Sequence, residues 1–148
     1  MGGWTGCAGG GDPLCEPGRD PTLEIGLGVG AFTPVADGDP MPLIHGPQGG
    51  WHLEIGLLAT HIDAGDLITG SLEGTIDGER VAISAPWLDM RCDEEAGGLV
   101  SWSTRLIYPT ETSEELDGLT TEITASVTDL RGITVSTSRT FVIQDEAP

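Results

Sequence analysis

The chain has 148 residues, 24 of them acidic and six basic, for a formal net charge of −18. That excess excludes nucleic acid and anionic membrane surfaces as partners, because both are held by clustered cations, and here all six bases are arginine with no lysine at all. A hydrophobic content of 38% and a mean hydropathy of −0.02 suit one folded domain, and no apolar run approaches the ~20 residues of a membrane-spanning helix.

Residues 1–21 are rich in Gly, Pro and Asp and are expected to form a flexible N-terminal arm. Within it, Trp4-Thr5-Gly6-Cys7 followed by a Gly-rich stretch resembles a bacterial lipoprotein cleavage box and its tether. The resemblance makes Cys7 the candidate lipidation site, although Trp4 stands where such boxes carry leucine. The alternative is a flexible tail with an incidental cysteine. Three cysteines cannot all pair. With Cys7 lipidated, Cys15 and Cys92 remain as a disulfide pair, which suits an oxidising compartment. The rival is a local Cys7–Cys15 bridge with Cys92 free. No CxxC pair occurs, so the cysteines do not read as a zinc site.

The domain is expected over 22–145. Residues 22–28, TLEIGLG, alternate Leu23, Ile25 and Leu27 with Glu24 and Gly26, the period of a half-buried strand. AFTPV follows as an edge continuation broken by Pro34, and ADGDPMP reads as a turn. Residues 51–60, WHLEIGLLAT, repeat the alternation, so the tetrapeptide LEIG occurs twice, 30 residues apart. Strands at 66–77 and 79–87 flank Asp77-Gly78, a strong hairpin signal. Further strands are expected at 99–108, 119–130 and 133–144, the last two joined near Arg131-Gly132. Seven strands, no helical periodicity and β-branched residues crowding the C-terminal third predict an all-β fold. Its expected form is an immunoglobulin-like antiparallel β-sandwich of seven to eight strands, with a jelly roll or small barrel as the alternative. Trp87 and Trp102 are expected in its core.

Residues 45–52, HGPQGGWH, pose the question of metal binding. His45 lies in the loop before the 51–60 strand, His52 at its start, and Glu54 shares the face of His52. The three together form a candidate copper or zinc site. His61 closes the same strand nine residues after His52, about 30 Å away at ~3.3 Å per residue, and is excluded from it. The competing reading is a Gly-Pro turn feeding a strand. Loop alternation expects Asp37 and Asp39 at the end that carries His45, where the DGD triplet is the candidate calcium site.

The segment from Leu23 to His52, with LEIG, DGDP and GPQGGWH, resembles a family of bacterial secreted proteins and lipoproteins. In them a Gly-Pro-Gln-Gly-Gly-x-His motif leads into a strand of an Ig-like domain. The resemblance implies an extracytoplasmic location and the sandwich fold, and no activity.

No GxSxG, HExxH or phosphate-loop pattern is present, and Cys92 sits among acids that oppose thiolate chemistry. The expected function is therefore that of a non-catalytic binding or adhesion module, secreted or anchored at a bacterial surface, with a protein or cell-surface ligand. Its alternatives are a metal-binding protein, with copper or zinc at His45/His52 or calcium at Asp37/Asp39, and a hydrolase with paired carboxylates.

Overall fold

The computed structural model describes residues 13–46 and 50–145. Cys7 lies outside them.

The described residues form an all-β sandwich of ten strands. They are β1 (Thr22–Leu27), β2 (Asp39–His45), β3 (Trp51–Thr60), β4 (Ile68–Ile76), β5 (Glu79–Ser84), β6 (Trp87–Leu88), β7 (Arg91–Asp93), β8 (Gly98–Tyr108), β9 (Thr120–Thr128) and β10 (Thr134–Asp145). One layer is built on β3, flanked by β1 and β8, with β7 beyond β8. The other runs β5-β4-β9-β10, with β6 also on β4. The layers are not closed into a barrel. They are joined by β2, whose first part runs parallel to Phe141–Asp145 of β10 before Ile44 and His45 pair antiparallel with β3.

The seven long strands expected from alternation are present, and Asp77-Gly78 makes the two-residue turn between Ile76 and Glu79 with both residues at positive φ. Three strands and one parallel pairing depart from the expectation. β2 occupies part of the segment read as a turn. Pro40 and Pro42 share one parity of that strand, so they remove donors from one edge only, and over that stretch β10 is its sole partner. Met41 and Leu43, of the other parity, are 0% and 1% exposed. β6 and β7 are too short to carry a readable period.

The core lies between the layers. Leu53, Ile55, Leu57 and Ala59 of β3 face Leu72, Ile123, Val127, Phe141 and Ile143, all fully buried. Each of the larger side chains contributes about 1.5–3 kcal/mol by leaving water. One polar link crosses this core: the Tyr108 hydroxyl meets Thr121 Oγ1 at 2.6 Å, and Thr121 in turn donates to the Thr75 carbonyl at 3.1 Å. The outer face of β9 and β10 pairs hydroxyl with hydroxyl, Thr124 with Ser138, Ser126 with Ser136 and Thr128 with Thr134. Alternating apolar and hydroxyl residues in the C-terminal third therefore record one buried and one wet face.

Residues 13–21 lie against the domain and are not a free arm. Cys15 is bonded to Cys92, with Cα atoms 5.7 Å apart. His61 N–H donates to Leu14 O and Gly18 N–H to His61 O. Arg131 donates to the carbonyls of both Gly18 and His61, at 3.1 and 2.8 Å. Asp129, 4% exposed, holds Arg131 in turn and accepts from the backbone N–H groups of Asp63, Arg131 and Ile133.

Candidate functional site

Of the residues singled out for metal binding, only His52 and Glu54 are brought together among the described residues; His45, Asp37 and Asp39 are not gathered with them. His45 stands opposite Trp51 and Ile44 opposite His52, so the two histidines project from opposite faces of the β2–β3 ladder. His45 stacks on Trp51, ring centroids 4.4 Å apart. His52 is buried and meets Glu54, Nε2 to Oε2 at 3.2 Å. Asp37 and Asp39 do not share the end that carries His45. With β2 a strand, Asp39 and His45 are its two ends, about 20 Å apart at ~3.3 Å per residue. Both carboxylates are engaged by backbone: Asp37 accepts from Thr140 N–H of β10 at 3.0 Å, and Asp39 from Ala36 N–H within its own turn at 2.8 Å. Among the described residues, no three His, Cys, Asp or Glu side chains gather as metal ligands. Pro47, Gln48 and Gly49 lie outside the described residues.

A different site emerges from the two tryptophans expected in the core. Trp87 is 69% exposed and Trp102 40%. The cause is the segment 87–91, which crosses from one layer to the other. Trp87 and Leu88 pair with β4 on one layer, and Arg91 with Val100 of β8 on the other. Along this crossing Leu88 and Met90 turn inward, at 1% and 5% exposure, while Trp87, Asp89 and Arg91 are exposed. The parity was legible in Trp-Leu-Asp-Met-Arg, since Trp87 alternates in step with the charged residues.

β7 pairs with β8 only as far as Val100. Beyond it, on that side, β8 has no strand partner among the described residues, and here the open side of the sandwich forms a groove of about 410 Å³. Trp87, Asp89, Ser101, Trp102 and Arg105 are among the residues that line it. Asp89 and Arg91 are ion-paired at 2.9 Å along its rim, where a neighbouring hollow is lined by Asp89, Arg91 and Trp102. Arg105 makes no hydrogen bond or ion pair among the described residues. Ser101 is 5% exposed, yet its hydroxyl has no hydrogen-bond partner, the one such buried side chain among the described residues. A buried hydroxyl without a partner carries a desolvation cost of about 1–3 kcal/mol.

The groove coincides with an irregularity in β8. Ser101 pairs with Leu57 and Thr104 with Ile55, so Trp102 and Ser103 together oppose the single residue Gly56. Ser103 sits at φ 62, a left-handed conformation uncommon for a residue with a side chain. Its N–H donates to Gly28 O at 2.7 Å, where the chain leaving β1 has crossed over β3. That crossing needs the absence of a side chain: a Cβ on Gly56 would stand 2.7 Å from Leu27 O. The two LEIG glycines, Gly26 and Gly56, are direct partners in the β1–β3 ladder, and Phe32 lies over both.

Neither a protein-family model nor a curated protein matches the chain.

Proposed function

We propose that the chain is a non-catalytic binding module that works outside the cytoplasm, secreted or tethered at a bacterial surface through Cys7. The observation that carries the reading is the groove with two exposed tryptophans. An indole is among the most favourable side chains to bury, and binding surfaces concentrate exposed aromatics and arginine while the surrounding surface is polar. Trp87, Trp102 and Arg105 supply that combination on a chain otherwise dominated by acid. The Cys15–Cys92 bond supports an oxidising location.

The test is adsorption of the purified chain to isolated bacterial envelopes, comparing wild type with the double variant Trp87→Ala/Trp102→Ala. Binding that the double variant loses, with its melting temperature unchanged, is the expected result. Equal adsorption of both proteins, or none by either, overturns the reading.

A further inference from the structure

We infer that the groove between segment 86–91 and the free edge of β8 is a saccharide site, taking a neutral pyranoside chain against Trp87 and Trp102. The inference rests on the binding-module reading and names its ligand class.

Three observations carry it. The first is the pairing of indole surface with hydroxyl-binding groups. One face of a pyranose ring is a patch of C–H groups that packs on the electron-rich face of an indole, while its hydroxyls need donors and acceptors around the rim. Trp87 and Trp102 provide the aromatic surface; Asp89, Arg91 and Arg105 provide the rim. A guanidinium presents parallel N–H groups that match two neighbouring hydroxyl oxygens, and Arg105 is uncommitted. A volume of about 410 Å³ falls at the small end of ligand pockets, enough for one or two sugar rings.

The second is Ser101. Ser101 lines the groove, and its buried hydroxyl, just beneath that surface, finds no partner among the described residues. Buried polar groups are satisfied in the overwhelming majority of cases, and an exception asks for an explanation. A ligand hydroxyl or a water carried with it satisfies this one.

The third is the bulge at Trp102 and Ser103. An unpaired strand edge otherwise invites a peptide to add as a further strand, which needs a regular ladder. The extra residue and the left-handed Ser103 break that ladder in the middle of the groove. The edge is thus unsuited to strand addition while the tryptophan is retained. A neutral ligand is favoured over an anionic one, since the site belongs to a chain of net charge −18.

The experiment is calorimetric titration of the full chain with soluble gluco-, xylo-, manno-, galacto- and chito-oligosaccharides, with oligogalacturonate as the anionic comparison. Binding of at least one neutral oligosaccharide is expected in the micromolar to millimolar range. Trp87→Ala and Trp102→Ala should each weaken it tenfold or more without lowering the melting temperature. Ser101→Ala is the sharper variant: it removes an unsatisfied buried group, so the melting temperature should hold or rise while affinity falls several-fold. A merely structural serine would not separate the two readouts. The inference is overturned if no neutral oligosaccharide binds, if the tryptophan variants bind as wild type does, or if oligogalacturonate binds more tightly than every neutral probe. If no saccharide binds while envelope adsorption remains groove-dependent and is abolished by protease treatment of the envelopes, the partner is a protein: the saccharide inference falls and the binding module stands. Groove-independent adsorption removes both.

Discussion

Reducing the Cys15–Cys92 bond should cost the protein a large share of its stability. The two residues are 77 apart in sequence, so the bond closes a loop of more than half the chain in the unfolded state. Loop-closure entropy for that length amounts to about 15 cal/mol/K, or about 4.5 kcal/mol at room temperature. Native stabilities are ~5–15 kcal/mol, so the bond decides whether the fold is comfortable or marginal. For a domain of this size the loss corresponds to a fall in melting temperature of roughly 10–20 °C. The contacts that remain after reduction work in the other direction. Leu14, Gly18 and His61 still exchange backbone hydrogen bonds, and Arg131 still grips two of those carbonyls, so the folded arm stays in place while the unfolded chain gains freedom.

The assay is thermal unfolding of three samples in a Cys7→Ser background: oxidised, chemically reduced, and Cys15→Ser/Cys92→Ser. The background substitution removes the competing thiol. Reduced protein and double variant should melt together, well below the oxidised form. Coincident melts of oxidised and reduced protein would refute the reasoning, because a bond that closes so long a loop cannot be thermodynamically silent. Peptide mapping that found Cys7 joined to Cys15 in the unsubstituted chain would refute it by another route.

Two further predictions concern titrating groups inside the fold. Burial alone would raise the Asp129 pKa, but hydrogen bonds from Asp63 N–H, the Arg131 side chain and the N–H groups of Ile133 and Arg131 outweigh it and hold the carboxyl below its ordinary 3.8. Stability from a depressed carboxylate is complete above the unfolded value and lost as pH falls through the folded one. Asp129→Ala, which strands backbone N–H groups and a half-exposed guanidinium, should cost about 1–3 kcal/mol in urea unfolding at pH 7, and Asp129→Asn should flatten the acid limb below that value. Tyr108 is the opposite case, its phenol pushed from 10.0 to about 12 by burial against a smaller opposing effect of Thr121. Its contribution is complete below 10.0 and lost as pH rises through about 12, so Tyr108→Phe should blunt alkaline unfolding and cost about 1 kcal/mol at neutral pH, read from melts between neutral and strongly alkaline pH.

The fold was legible where each strand has one wet face. TLEIGL and the hydroxyl-rich β9 and β10 alternate cleanly, and Asp77-Gly78 marks its hairpin without help from tertiary structure. β2 was hidden because its composition is that of a turn. Two prolines and an aspartate outweigh a buried pair, Met41 and Leu43, unless one knows that a single edge is paired. The hidden strand bears directly on the site, since a turn over residues 36–42 and a strand from Asp39 place the same residues differently. A turn places Asp37, Asp39 and His45 at one end of the molecule and carries no register, whereas the β2–β3 pairing sends His45 and His52 to opposite faces. Spacing alone shows neither feature, since register is set by partners far along the chain.

The groove was legible by halves, and the reason lies in the two LEIG segments. Trp87 could be placed from its parity with Asp89 and Arg91, a local property. Trp102 could not. Gly26 and Gly56, from segments 30 residues apart, meet as ladder partners and thin the layer at one point. The backbone after β1 crosses there, and the carbonyl of Gly28 takes the N–H of Ser103. A strand that gives a backbone donor to a crossing segment cannot keep its regular ladder at the same residue, so β8 gains one residue against β3 at that place. The bulge falls beside Trp102, on the stretch that β7 leaves uncovered. A glycine repeat that reads as incidental in the sequence is thus coupled, through one carbonyl, to the break in β8 beside a tryptophan at the mouth of the sandwich.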